Sequence, residues 1–544
     1  MRSVRIWILL FVALFSAAAL ADTYDHSAAL KRRLIAATFD GKVIPRWSPR
    51  PRASPRRSAR RLRTKEHSVK SANTTCIPPE HVHISIVGRN ASSIAVMWSV
   101  TLSEAFTDRP ALWNTRTPDR APTEAYVPAV AFSRISSTDV EGVVSGTAAC
   151  RQVRYIGDRY HFSCDLPVLP TTERVIYYQP GQLECVGNGK QTLGYTIAVQ
   201  PKEGVDVNVA VFGDMGSTQS DGTIALLRDE LLVKNTSALA IHVGDIAYGD
   251  DATIFGPNPY YEPIMDDFMK KIEPIASKVP YMVSPGNHDV SCKILTDDDC
   301  DMGLRNFSAY RHRWTMPSNS SGAFGASNLW YAFEYGNIQF VAISTEVDYP
   351  QAPYKPDQGS VRAGGFGDQM AWLESVLRRA SLPESRAVRP WIVVYGHRPL
   401  YSTSSLEFPF DQQERTRKTF EPLFQKFGVD LYIAGHVHMY ERTWPMRDNV
   451  IVQEGYNNPN STVYINNGAA GNVEGHCNRY TPTIPKHIPL RNVDQFGIGM
   501  LRTKSDHANR TLQLCYDFVP APASVSSSAK AFQDSICISK PMLR

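Results

Sequence analysis

The spacing of hydrophobic positions changes character along the chain. Val82, Ile84 and Ile86 alternate with polar residues, as do Ile94, Val96, Trp98 and Val100. A period of two marks half-buried β-strands, and tyrosine-rich runs at 175–178 and 195–199 continue it with no long helix-periodic stretch between. The pattern predicts a small two-sheet β-sandwich over residues 76–201. After Gly204 the period alters. Apolar strands are expected at 205–212, 238–243, 281–283, 391–395 and 431–434, with amphipathic helices at 220–232, 369–379 and 414–427. Strand and helix alternate, which predicts a β-α-β layered α/β domain with a buried sheet over 202–520, followed by a tail at 521–544.

The first 75 residues read differently. Arg2 and Arg5 precede an apolar run over residues 6–20, and Ala19-Leu20-Ala21 supplies a small-x-small cleavage pattern. Residues 1–21 are therefore read as a signal peptide, too short in its apolar part for the ~20 residues of a membrane span. Residues 22–75 are a basic leader rich in Pro, Arg and Ser, expected to be disordered, either a propeptide or a solvated arm. The net charge of +5 hides a division: residues 1–70 carry +12, so the remainder carries −7 by difference. Nucleic acid is not an expected partner of an exported chain with an acidic body. The first candidate domain fits a fibronectin-III-like type, and no chemistry is read in it.

Two further features agree with export. Asn73, Asn90, Asn235, Asn306, Asn319, Asn460 and Asn509 each stand in an Asn-x-Ser/Thr sequon, so N-linked glycans are expected. Nine cysteines should mostly pair in an oxidising compartment, with one left over; Cys292 and Cys300 are the best local pair. The expected location is outside the cell or in an endolysosomal or vacuolar lumen. No span in the mature chain is expected, and a homodimer is left open.

Each of the five α/β strands ends in a polar motif: Gly213-Asp214, Gly244-Asp245-Ile246-Ala247-Tyr248, Gly286-Asn287-His288-Asp289, Gly396-His397-Arg398-Pro399 and Gly435-His436-Val437-His438. Carboxyl ends of strands in α/β sheets share one edge, so tips far apart in sequence can converge there. Carboxylates, an amide oxygen and imidazoles without cysteine are donors for hard or borderline metals. His436 and His438 share a face if extended. Seven donors are too many for one ion and suit two.

Motif order and spacing resemble the metallophosphoesterase superfamily, and Tyr248 makes the closer resemblance one to the purple acid phosphatases, over about residues 78–518. That resemblance implies Fe(III) held by Asp214, Asp245, Tyr248 and His438. It implies a divalent zinc, manganese or iron held by Asp245, Asn287, His397 and His436, with Asp245 bridging. It further implies hydrolysis of small phosphate monoesters by attack of a metal-bound hydroxide. His288, next to a ligand, is the candidate proton donor for the leaving oxygen. Asp289 is an orienting partner, with weaker claims for Asp250 and Glu441. Plant members carry paired histidines shortly after the motif matching His397; residues 399–409 contain none, which leaves Glu407 or His288 alone for that part. The glycine-rich segments 467–471 and 494–497 are read as turns. A phosphodiesterase or nucleotide pyrophosphatase on the same site, and a non-catalytic secreted glycoprotein, are the alternatives.

Overall fold

A computed structural model of the chain describes residues 76–88, 93–101, 126–146, 149–153, 159–167, 175–186, 192–252, 261–290, 304–317, 328–354, 363–405, 411–522 and 533–542. Residues 1–75, expected to be a signal peptide and basic leader, and Cys292, Cys300 and Glu407 lie outside them.

The N-terminal part consists of two four-stranded antiparallel sheets. One runs in the order Glu80–Ile86, Ser93–Thr101, Arg159–Pro167, Cys150–Val153, the other Gly142–Ser145, Pro128–Ser133, Ile176–Gln182, Tyr195–Ile197. Trp98 and Tyr126 both stack on Phe162, and Trp98 Nε1–H donates to Tyr126 Oη at 3.2 Å. Cys150 and Cys164 face each other in register and are bonded, and Cys76 is bonded to Cys185. The alternation at 82–86 predicts a strand with one wet face, yet His83 and Ser85 are buried as well. The reason is tertiary. The second face of that strand lies against helix Tyr261–Ala276 and the chain at 313–315: His83 Nε2 lies 2.8 Å from the Arg313 carbonyl, and Glu273 accepts from the His81 N–H at 3.0 Å. Val82, Ile84 and Ile86, all fully buried, each contribute on the order of 2 kcal/mol from the other face.

The α/β part has two large sheets where one was expected, besides two short two-stranded pairings. A six-stranded sheet runs Tyr281–Ser284, Ala240–Val243, Asn208–Phe212, Gly497–Asp506, Thr511–Pro520, Asp534–Pro541. A seven-stranded sheet runs Tyr331–Tyr335, Ile338–Ala342, Trp391–Tyr395, Leu431–Ala434, Val463–Asn467, Tyr440–Arg442, Leu490–Asn492. The first three strands of the six-stranded sheet are parallel, as are the four from Ile338–Ala342 to Val463–Asn467. Three of the five motif strands thus belong to one sheet and two to the other. Residues 534–541, read from sequence as tail, form an edge strand locked to its neighbour by the Cys515–Cys537 disulfide. The predicted helices are present as Gln369–Ala380, Gln412–Phe427 and Asp221–Arg228, the last running on into a wider π-turn over Asp229–Val233.

Candidate metal centre

The carboxyl ends of the five motif strands meet where the two sheets abut. Gly213 N–H donates across the junction to the Asn467 carbonyl at 3.0 Å, and Ala470 N–H donates back to the Gly213 carbonyl at 3.2 Å. A glycine opens each motif and lets the backbone turn there. The structure assigns part of the strain to the functional residues themselves: Asp214, Asp245, Tyr248 and His436 have φ of 62°, 53°, 58° and 70°. Non-glycine residues held in the left-handed region cost of order 1–3 kcal/mol each and cluster at functional sites. Two of the glycines are needed for close approach. A Cβ on Gly286 would overlap the Asp245 carboxylate, and one on Gly435 the Asp214 carboxylate. Each motif is therefore packed against the side chain of another.

All seven expected donors are brought to this junction. Tyr248 Oη lies 3.1 Å from Asp214 Oδ1, 2.8 Å from His438 Nε2 and 3.5 Å from Asp245 Oδ2. That same Asp245 oxygen is 3.0 Å from His397 Nε2, which is 3.1 Å from Asn287 Oδ1. The rings of His397 and His436 are 5.0 Å apart, and donor atoms of Asp245, His397 and His436 all lie within 4.8 Å of one another, a grouping able to hold a metal ion. Asp245 Oδ2 stands between the two halves.

Hydrogen bonds to the backbone fix the donors in place. His397 Nδ1 faces the Val243 carbonyl at 3.1 Å and His438 Nδ1 the Gly475 carbonyl at 2.9 Å, which leaves Nε2 of each ring directed inward. His436 N–H donates to Asp214 Oδ2 at 2.8 Å, and His288 N–H to Asp245 Oδ1 at 2.8 Å. Asp289 accepts from the N–H groups of Asp245, Gly286 and Ile246 and so holds two motifs together. His288 Nδ1 is 2.9 Å from Asp250 Oδ1, while its Nε2 is 3.9 Å from Asp245 Oδ2. Glu441 is turned to the loop after His397, accepting from Thr403 N–H and Oγ1.

Burial works against charge here, and neighbours decide which charges survive. It would raise the Asp245 carboxyl, but His397, His288 and His436 hold it well below the usual range. Burial likewise opposes protonation of His397, yet Asp245 and Asp214 lift it to about 9. Burial together with Asp214 and Asp245 pushes the Tyr248 phenol well above its ordinary value. Among the described residues the ion pairs of Asp214 and Asp245 are to histidines alone. Two carboxylates and a phenol within 3.5 Å, rimmed by imidazoles, form a hard oxygen and nitrogen donor set that fits multivalent cations.

Three groups were missed from sequence. Arg398 follows His397 directly and is buried, with its guanidinium on Glu346: Nε is 3.0 Å and 3.1 Å from the two carboxylate oxygens and Nη2 is 3.0 Å from Oε2. Its Nη1 reaches His436 Nε2 at 3.1 Å. Glu474 stands 3.9 Å from both His438 Nε2 and His288 Nε2. The proximity of Arg398 to a motif was visible in the sequence; Glu346, 52 residues from Arg398, and Glu474, far from His288 in the chain, carried no local signal.

Residues 207–440 match the Calcineurin-like phosphoesterase family. The chain is 34% identical over 265 residues to acid phosphatase A of Cryphonectria parasitica, covering 43% of this chain and 51% of that one. It is 34% identical over 307 residues to acid phosphatase type 7 of Homo sapiens, covering 54% and 60%. It is 27% identical over 425 residues to probable purple acid phosphatase 20 of Arabidopsis thaliana, covering 78% and 81%. The alignment thus spans about half the length of the first of these relatives. The fold is similar to purple acid phosphatase PPD1 from yellow lupin (Lupinus luteus) seeds, with a TM-score of 0.60 at 22% identity over 85% of this chain and 74% of that one. Residues 207–440 thus match calcineurin-like phosphoesterases, and the chain is similar to acid phosphatases, purple acid phosphatases among them.

Proposed function

We propose that the protein is an acid phosphatase that hydrolyses small phosphate monoesters at a dinuclear centre. Fe(III) would be held by Asp214, Asp245, Tyr248 and His438, and a zinc, manganese or ferrous ion by Asp245, Asn287, His397 and His436. When bound, the two ions supply Lewis acidity toward phosphoryl oxygens and a nucleophile at acid pH. One observation carries the reading: Asp245 Oδ2 faces Tyr248 Oη on one side and His397 Nε2 on the other, as a bridging carboxylate must. His288 is the proton donor. Donation of Nδ1–H to Asp250 fixes the ring and leaves Nε2 toward the site, where a leaving oxygen could take its proton.

The wider setting belongs to the same proposal. Residues 76–201 are a fibronectin-III-like sandwich before a catalytic domain, on a chain exported to an oxidising compartment. Three disulfides support that compartment, with Cys477 unbonded among the described residues. No helix among the described residues is long and apolar enough to cross a membrane. Asn235, Asn460 and Asn509 are exposed, as N-glycan acceptors must be.

Metal analysis, a visible spectrum and turnover of a chromogenic monoester against a diester test the proposal together. The expected result is one iron and one divalent ion, a charge-transfer band that Tyr248→Phe abolishes while the fold persists, and preference for the monoester. A colourless protein with two zinc ions would defeat the ferric assignment, and preference for the diester would defeat the substrate class.

A further inference from the structure

The two halves of the centre have unlike surroundings. Beside Asp214, Tyr248 and His438 stands a carboxylate, Glu474; beside Asn287 and His436 stands a cation, Arg398. We infer that Arg398 competes with the divalent ion for His436, which makes the second ion weakly held and exchangeable. This rests on the dinuclear reading above.

The argument is one of lone pairs. A guanidinium can only donate, so the 3.1 Å contact from Arg398 Nη1 uses the lone pair on His436 Nε2. A neutral imidazole has one such lone pair. An ion bound at Nε2 displaces the arginine directly. An ion bound at Nδ1 forces the proton onto Nε2, where it opposes the Arg398 N–H. Either way, ion and guanidinium exclude each other at this ring. Arg398 Nη2 also approaches Asn287 Oδ1 at 3.5 Å, so the same cation borders two of the ligands assigned to that ion. Glu346 holds the guanidinium by its Nε and Nη2 edge, and Thr345 Oγ1 accepts from the Arg398 backbone N–H at 2.9 Å. The competitor is fixed in position, with the carboxylate offsetting part of its charge.

The test is Zn²⁺ titration of the full-length protein stripped of all metal beforehand, with the second equivalent read by competition against a chromogenic chelator. Glu346→Gln/Arg398→Met removes the cation and its counter-charge together and should bind the second equivalent about tenfold or more tighter than wild type. Arg398→Lys, which keeps a charge, should stay near wild type. A residue that merely supported the site would give weaker binding when removed. In wild type, side-chain ¹⁵N resonances of Arg398 should move with the second equivalent and not with the first, which needs no variant to fold. Unchanged or weaker affinity in the folded double variant, or an Arg398 signal indifferent to the second equivalent, overturns the inference. A wild type that binds one equivalent alone overturns the dinuclear reading and this inference with it.

Discussion

At the scale of single residues the proton donor is the sharpest issue, because residues 399–409 offer no histidine. His288 is buried, its ring packs 4.3 Å from that of Tyr248, and Asp250 fixes which nitrogen looks inward. His288→Ala should lower kcat on alkyl phosphates by about 10²–10⁴-fold, the usual range for lost general acid catalysis. On a nitrophenyl ester, whose leaving group needs little help, the loss should be smaller, and metal content should stay the same. Equal loss on both esters together with metal loss would make His288 a support for the site. Glu407→Gln showing the leaving-group dependence would move the acid to Glu407. That the seven candidate donors would converge was legible in the sequence, since five of them directly follow a glycine at the end of an apolar run. Glu346 and Glu474 were not, because nothing near 346 or 474 in the chain signals a partner at 398 or 438.

At the scale of elements, strand positions were legible where the apolar run is short and fully buried. The strands Trp391–Tyr395 and Leu431–Ala434 coincide with the sequence reading. Their division between two sheets was not legible, because period and hydrophobicity report burial and not which neighbour supplies it. Residues 534–541 were read as tail for a related reason. Alternation there is weak, and the pairing that stabilises the strand comes from 511–520 and a disulfide. The junction of the two sheets yields a test at this scale. Gly435 ends one motif strand and packs on the carboxylate of another, so Gly435→Ala must push Asp214 away from Tyr248 and His438. The variant should lose metal and activity together while its secondary structure by circular dichroism is retained. Full metal occupancy in Gly435→Ala would show that the junction is more compliant than its packing implies.

At the scale of the whole molecule, the N-terminal sheets and the α/β part are joined through a layer of buried histidines. His81 and His83 on strand Glu80–Ile86 and His161 on strand Arg159–Pro167 are all buried, and the strand carrying the first two packs on helix Tyr261–Ala276. Burial, reinforced by Arg313 for His83 and by Arg159 for His161, lowers these imidazoles from 6.5 to about 4 and about 3 respectively. His81 falls to about 2, by burial and then Arg159. The sign follows from linkage. Between pH 6.5 and about 4 the unfolded chain binds protons that the folded chain refuses, so stability is intact above 6.5 and falls as pH drops through that window. Each histidine can contribute about 1.4 kcal/mol per pH unit at most. An enzyme proposed to work in acid would therefore lose stability there. Thermal unfolding of the metal-loaded protein, followed from pH 7 to pH 4.5, should show a falling midpoint. His161→Leu removes one titrating group without removing apolar packing, and its midpoint should fall less steeply with pH than wild type. A wild-type midpoint that is flat or rises on acidification would mean these histidines gain protons in the folded state, through Asp266 at 3.8 Å from His81 or another carboxylate at the same interface.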